Sequence, residues 1–231
     1  MPGLFIVTGH YGTGKSEFSV NFALRKRLRE GEEVTLVDLD IVNPYFRSRE
    51  ARAILEEQNI RVVSNSLNID QGVDLPAISP AVAGSLEDRE RTVIVDLGGD
   101  PVGARVMRRF RGSVPEEGLE VLYVVNIFRP ENRTVAATCD SLGAIQEASG
   151  LRISGLINNS HLLDRSRPEH LLAGDRHCRE LSELLGLPIR FVSATRALFK
   201  ACEQMSELPE GERVEIGMHL RQEWMASTGT E

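Results

Sequence analysis

Three short stretches carry residues whose types and spacing could do chemistry. The first is Gly9-His10-Tyr11-Gly12-Thr13-Gly14-Lys15-Ser16, which fits the spacing G-x-x-x-x-G-K-S of a phosphate-binding loop. Gly9, Gly12 and Gly14 let the backbone turn and come close to a ligand. The N–H groups freed there point inward at the start of a helix, whose dipole also favours an anion. Lys15 is placed to reach β- and γ-phosphates, and the Ser16 hydroxyl to hold Mg²⁺. Hydrogen bonds to a charged partner contribute roughly 1.5–3 kcal/mol each, so a few suffice for micromolar binding of a nucleoside triphosphate. The run Gly9, Gly12, Thr13, Gly14, Lys15, Ser16 and Glu17 is therefore the expected cofactor-binding segment.

The other two stretches are Asp38-Leu39-Asp40 and Asp96-Leu97-Gly98-Gly99-Asp100, each delivered by an apolar run, Val34–Val37 and Thr92–Val95. In open parallel sheets ligands bind at the carboxyl ends of strands, which makes these carboxylates candidates for chemistry. An apolar strand ending in Asp is the second part expected of a phosphate site, with Asp96 holding Mg²⁺ through water. Gly98 and Gly99 permit the following loop to approach a γ-phosphate.

The elements that must position these residues alternate in type. The strand Leu4–Val7 precedes the loop, and a helix is predicted from Lys15 to Arg29, with Val20, Leu24 and Leu28 in one row and Phe18 and Phe22 beside it. Gly31 ends it. Beyond Asp40, Asn43–Phe46 reads as a turn, 47–58 as a helix, 60–64 as a strand and 72–84 as a short helix. A helix from Pro101 to Arg111, a strand from Glu120 to Val125 and a helix from Glu131 to Ser149 follow. The strand Ile153–Ile157 ends at Asn158-Asn159. Then come a helix from Pro168 to Leu185, the strand Ile189–Val192 and a helix carrying Leu198, Cys202 and Met205. The fold class is α/β: a mostly parallel, doubly wound sheet covered on both faces, of the three-layer phosphate-loop NTPase kind. Residues 1–206 form its nucleotide-binding domain, and 207–231 read as a polar extension.

Bulk properties agree. A chain of 231 residues with 41% hydrophobic content fits one α/β domain. The net charge of −7 argues against nucleic acid as a general partner. No apolar run is long enough to span a membrane, and the start of the chain runs directly into a strand, which leaves no room for a signal peptide. Three cysteines without a C-x-x-C pair fall on predicted core stripes and suggest a reducing compartment, hence a cytoplasmic location.

The loop, the strand ending Val37-Asp38-Leu39-Asp40 and the strand ending Val95-Asp96-Leu97-Gly98-Gly99 together resemble the MinD/ParA-type ATPases. The resemblance implies that Lys15 and Ser16 bind phosphate and Mg²⁺, that Asp40 orients the attacking water, that Asp38 lies near the metal, and that Asp96 holds it through water. It further implies ATP and Mg²⁺ as cofactors and an ATP-dependent homodimer with a protein partner that reads the nucleotide state. One position departs from the family. Its second, signature lysine follows the first glycine, where this chain has His10, and an imidazole supplies that charge only below its pKa.

For the base, guanine sites of the N-K-x-D kind need an acid that Asn158-Asn159-Ser160-His161 lacks. An amide both donates to and accepts from adenine's edge, so Asn158 or Asn159 suits ATP, although an Asn pair is also ordinary turn chemistry. The leading expectation is an ATP-hydrolysing switch, with Lys15 and Asp40 as its catalytic residues. A polynucleotide 5′-kinase-like enzyme, or a small-molecule phosphotransferase or synthetase, is the alternative. In it Asp40 would be a general base for a phosphate acceptor, and Arg105, Arg108 and Arg109, or Arg47, Arg49 and Arg52, would hold an anionic substrate. A nucleotide-binding regulator with negligible turnover is a third reading.

Overall fold

The computed structural model describes residues 2–40, 51–64 and 80–220. Its strands are β1 (Leu4–Thr8), β2 (Val34–Leu39), β3 (Arg61–Ser64), β4 (Thr92–Leu97), β5 (Leu119–Val125), β6 (Gly155–Asn158), β7 (Ile189–Ala194) and β8 (Glu212–Glu215). Its helices are α1 (Lys15–Glu30), α2 (Arg52–Glu57), α3 (Pro80–Leu86), α4 (Pro101–Ala104), α5 (Val135–Ser149), α6 (Pro168–Leu185) and α7 (Arg196–Gln204). The strands form one sheet in the order β3-β2-β4-β1-β5-β6-β7-β8, parallel throughout. The chain starts at the centre, moves out through β2 and β3, returns as β4, and leaves on the other side of β1 through β5 to β8. The carboxyl end of β1 thus lies where the direction of winding reverses, the place where ligands bind in such sheets.

Parallel strands need helical crossovers, so both faces are covered and alternate residues of one strand enter different cores. Leu4 and Ile6 join a cluster with Val82, Met107, Phe110, Leu142 and Leu181. Phe5 and Val7 join another with Phe18, Phe22, Leu55 and Val214. Phe22 is the hinge of the second core: its ring meets Phe5 edge-on at 5.2 Å and Phe191 at 5.0 Å, contacts that add about 0.5–1.5 kcal/mol each beyond burial. Cys178 and Cys202 are buried and Cys139 is half-buried. Among the described residues no helix is long and apolar enough to cross a membrane.

The expected helix from Pro101 to Arg111 is a short α-turn followed by a 3₁₀ segment, Arg105–Ser113. Its buried residues are Val106, Met107 and Phe110, the last two three positions apart, the spacing of a 3₁₀ turn. Helix α5 begins at Val135, later than expected, because the Thr134 hydroxyl accepts from the Ala137 N–H and caps it there. Within the polar stretch 207–231, residues Glu212–Glu215 add the eighth strand, paired with β7. The turn Asn43–Phe46, Arg47 and Arg49, and the first parts of the helices expected at 47–58 and 72–84 lie outside the described residues.

Phe22→Ala is expected to lower the unfolding free energy by about 3–5 kcal/mol. Leu28→Ala, at a side chain 61% exposed on the same helix, should stay within about 0.5 kcal/mol. Urea unfolding of both variants measures the difference.

Candidate functional site

The loop between β1 and α1 is shaped by its own carbonyls and by one distant amide. Thr13 donates to the His10 carbonyl through both its N–H (3.2 Å) and its hydroxyl (2.8 Å), so its side chain closes the loop from inside. Gly14 sits at φ +91°, and a Cβ there would collide with the Asn159 side-chain nitrogen. No side chain caps α1. Its first helical bond runs from the Phe18 N–H to the Gly14 carbonyl (2.9 Å). The N–H groups of Lys15, Ser16 and Glu17 thus precede the helical ladder and form a cradle for an anion.

Around this cradle the structure gathers the predicted acids. Asp38 and Asp96 are register partners on β2 and β4, and Val7 of β1 is the other neighbour of Asp96. The Asp40 N–H donates to Asp38 Oδ1 (3.1 Å). Lys15 Nζ lies 3.8 Å from Asp40 Oδ2, with both side chains buried. The loop after β4 rests on the phosphate loop: a Cβ on Gly99 would strike the Gly9 carbonyl and come within 2.7 Å of Lys15 Nζ. Asp100 fixes the exit of that loop by capping α4, accepting from the N–H groups of Val102 (2.8 Å) and Gly103 (3.0 Å).

Asp96 is fully buried, and neither of its carboxylate oxygens has a hydrogen-bond partner among the described residues. Burial, and then the neighbouring Asp38, push its carboxyl up to about 8, while the Lys15 ammonium and the nearby Ser16 hydroxyl pull the other way. An orphaned buried carboxylate beside a serine hydroxyl fits a hydrated Mg²⁺, whose waters would supply the missing donors. Among the described residues no group of three or more His, Cys, Asp or Glu could hold a metal by itself. Mg²⁺ needs none, since it takes one or two carboxylates, phosphate oxygens and water.

A cavity of about 850 Å³ opens from the cradle, of a size suited to a small organic ligand. Tyr11, Gly12, Lys15 and Ser16 of the loop line it, together with the apolar side chains of Leu198, Met218 and Leu220. Arg129 donates through Nε to the Gly12 carbonyl (2.7 Å) and also lines it. His161 accepts from the Leu163 N–H at Nδ1 (3.2 Å), and burial together with Arg129 lowers its pKa to about 4, so the ring is neutral at physiological pH. Asp164 lies beside it on the cavity wall.

Several expected ligand contacts are spent elsewhere. Asn158 is fully buried, its amide donating to the Leu171 carbonyl (3.1 Å) and accepting from the Ser160 N–H (3.2 Å). Asn159 does line the cavity, yet its amide donates to the Thr13 carbonyl (2.7 Å) and accepts from the Ser193 hydroxyl (2.7 Å). It is therefore a clamp on the phosphate loop. Glu17 turns away from the cradle and accepts from the N–H groups of His219 and Leu220, and its burial raises its pKa. His10 lies 3.3 Å from Glu131 of its own chain. Of the arginine clusters, Arg108 donates to the carbonyls of Ala148 and Glu147 at the end of α5, and Arg52 pairs with Glu56. Sequence reasoning missed Arg129, Asp164 and Ser193, none of which belongs to a local pattern that includes the loop.

No protein-family model matches the chain. The ATP-dependent Clp protease ATP-binding subunit ClpE of Streptococcus pneumoniae is 28% identical over 148 residues, covering 62% of this chain and 19% of that protein. Cell division protein FtsY of Thermotoga maritima superposes with a TM-score of 0.55 at 22% identity, covering 84% of this chain and 62% of its own. The signal recognition particle 54 kDa protein of Aeropyrum pernix, in complex with GDP, gives 0.52 at 20% identity, over 83% and 41%. A nucleotide-binding protein in complex with ADP from Archaeoglobus fulgidus gives 0.54 at 15% identity, over 87% and 86%. The chain thus spans less than two thirds of the FtsY and 54 kDa proteins. The shared fold is the α/β fold of phosphate-loop NTPases.

Without metal, the folded protein holds the Asp96 proton up to about pH 8, whereas the unfolded chain releases it near 3.8. The folded state binds the extra proton between these values, so this carboxyl lowers stability progressively as pH rises through that window. Asp96→Asn removes the effect. In metal-free buffer the variant's melting temperature is expected to gain on wild type from pH 5 to pH 8, while added Mg²⁺ and nucleotide stabilise wild type more than the variant. A parallel pH profile for the two proteins would exclude an ionising, buried Asp96.

Proposed function

We propose that this protein is a Mg²⁺-dependent nucleoside triphosphatase acting as a molecular switch of the MinD/ParA-like kind, with ATP as its nucleotide. The observation that carries the reading is the convergence of Lys15, Asp38, Asp40 and Asp96 on the uncapped start of α1, over a cavity large enough for a nucleotide. The cradle N–H groups and Lys15 bind the phosphates, with Ser16 and Asp96 holding Mg²⁺ and Asp38 beside them. The metal's contribution is to neutralise charge on the phosphate oxygens. Asp40 is held by Lys15 and by its own N–H bond to Asp38, in position to orient a water toward the γ-phosphate. The loop at Gly98-Gly99 lies against Lys15, so it is the segment a γ-phosphate would move. The change is then available to a protein partner through the 3₁₀ segment that follows.

ATP is supported by the ADP-bound structure from Archaeoglobus fulgidus, which this chain matches over most of both lengths. One observation favours a second reading: Asp164 on the cavity wall is an acid able to accept from guanine, and the 54 kDa neighbour is a GDP complex. A kinase is less well supported, because Arg108 and Arg52 are committed to neighbours within the chain.

Lys15→Ala is expected to weaken nucleotide binding by about tenfold to a hundredfold, the range of one charged hydrogen bond. Asp40→Ala should keep binding and lose hydrolysis by about 10²–10⁴-fold. Calorimetric titration with ATP and GTP, together with phosphate release, separates the two effects and ranks the bases. Unchanged binding by the Lys15 variant would remove the phosphate-site assignment. Light scattering on a sizing column tests the switch: a dimer formed only with Mg-ATP, and persisting in Asp40→Ala, is expected. A monomer in every state would favour a phosphotransferase.

A further inference from the structure

Residues Glu17, Asn21, Arg25 and Arg29 recur at four-residue spacing along α1, and every one of them bonds to the segment 212–220. Arg29 pairs with Glu215 at 3.0 Å. Arg25 pairs with Glu212 and donates to the Arg213 carbonyl (2.8 Å). Asn21 donates to the Gly217 carbonyl (2.9 Å) and accepts from the Gly217 N–H (2.7 Å). Glu17 accepts from the N–H groups of His219 (2.7 Å) and Leu220 (3.1 Å). A single polar row on the helix thus fastens both β8 and the five residues after it.

Three of those five residues line the same cavity as the cradle. Ile216, Met218 and Leu220 line it, and Met218 is 43% exposed, so its side chain presents apolar surface without being core. Glu17 and Asn21 grip backbone atoms, so the side chains at 216, 218 and 220 are left to line the cavity, with Ile216 and Leu220 also packed on the core around Phe18 and Phe22. Glu17 also directly follows Ser16, so the strap is anchored one residue from the phosphate cradle. The distance between cradle and wall is consequently set by the first turn of α1, a rigid spacer.

We infer that Glu17 and Asn21 are positioning residues that hold Ile216–Leu220 as the wall on which the nucleoside half of the bound nucleotide seats. This rests on the reading of the cavity as a nucleotide site. A nucleoside offers broad apolar faces to which aliphatic side chains are complementary, and it lacks the charge that the cradle requires. The charged cradle and the apolar wall of one cavity therefore recognise different halves of one ligand. Losing the wall should cost nucleoside affinity and leave phosphate affinity in place.

Calorimetric titration of the full chain with Mg-ATP, Mg-GTP and Mg-tripolyphosphate tests this. Wild type is expected to bind its preferred nucleotide about tenfold or more tightly than tripolyphosphate, the order of gain from burying one large apolar side chain. Glu17→Ala and Met218→Glu should remove most of that advantage, with tripolyphosphate affinity changing by less than about threefold. Glu17→Gln, which keeps an accepting oxygen, should retain part of it. Equal losses for nucleotide and tripolyphosphate, or unchanged nucleotide affinity in Met218→Glu, would overturn the wall. Should Glu17→Ala fail to fold, Met218→Glu decides, since it leaves the row on α1 intact. A wild type that binds neither ligand defeats the nucleotide site itself, and one that binds both equally defeats only the wall.

Discussion

Asp96 ends a buried strand with both oxygens unpartnered among the described residues, and Asp38 stands beside it in register on the next strand. Burying like charges side by side is unfavourable unless something compensates. Lys15 supplies a charge of the opposite sign, 3.8 Å from Asp40, and pulls against the upward shift of Asp96. Burial nevertheless drives Asp96 toward its protonated form. The sheet topology makes this arrangement unavoidable: β4 inserts between β1 and β2, so the loop after β1 and the acids ending β2 and β4 must meet at one point. A divalent cation is the simplest remedy, and the strain of the site without one is what makes metal and nucleotide able to change its balance.

Helix α1 joins that electrostatic centre to the rest of the fold through two faces with different chemistry. Its aromatic side, Phe18 and Phe22, locks onto Phe5 and Phe191 and fixes the helix against β1 and β7. Its polar side, Glu17 to Arg29, fastens the 212–220 segment. The helix that presents N–H groups to phosphate is therefore braced by apolar packing beneath and by hydrogen bonds alongside. Asn159 adds a third brace at the loop itself, tying Thr13 to Ser193 across the ends of β6 and β7.

The parts legible in the sequence were those whose physics is local. The G-x-x-x-x-G-K-S spacing, the apolar runs ending in Asp and the 3.6-residue rows each depend on neighbouring residues, and the parallel layered sheet follows from their alternation. The helix expected over Pro101–Arg111 was legible only in part, because the change from an α-turn to a 3₁₀ segment at Arg105 depends on how Met107 and Phe110 enter the core. The row Glu17-Asn21-Arg25-Arg29 was visible as a pattern, yet its partners lie about 190 residues away in pairs such as Arg25–Glu212, and no local rule announces them. Asn158 and Asn159 show the same limit from the other side. Their amides suited a base by type, but their bonds to Leu171, Ser160, Thr13 and Ser193 are set by which elements the fold brings together.

His10 occupies the place where the resembling ATPases carry a lysine directed at a partner subunit, and here its ring faces Glu131 of its own chain. Two residues before Glu131, Arg129 grips the Gly12 carbonyl from the same segment. The stretch after β5 therefore holds the phosphate loop from within, through Glu131 at His10 and Arg129 at the Gly12 carbonyl. A guanidinium stays protonated at any physiological pH, so a constant positive charge stands beside the loop without help from a second chain. Burial and, after it, this guanidinium lower the pKa of His161 to about 4 and keep that ring neutral. The loop is thus held at its Gly12 carbonyl by a cation of its own chain.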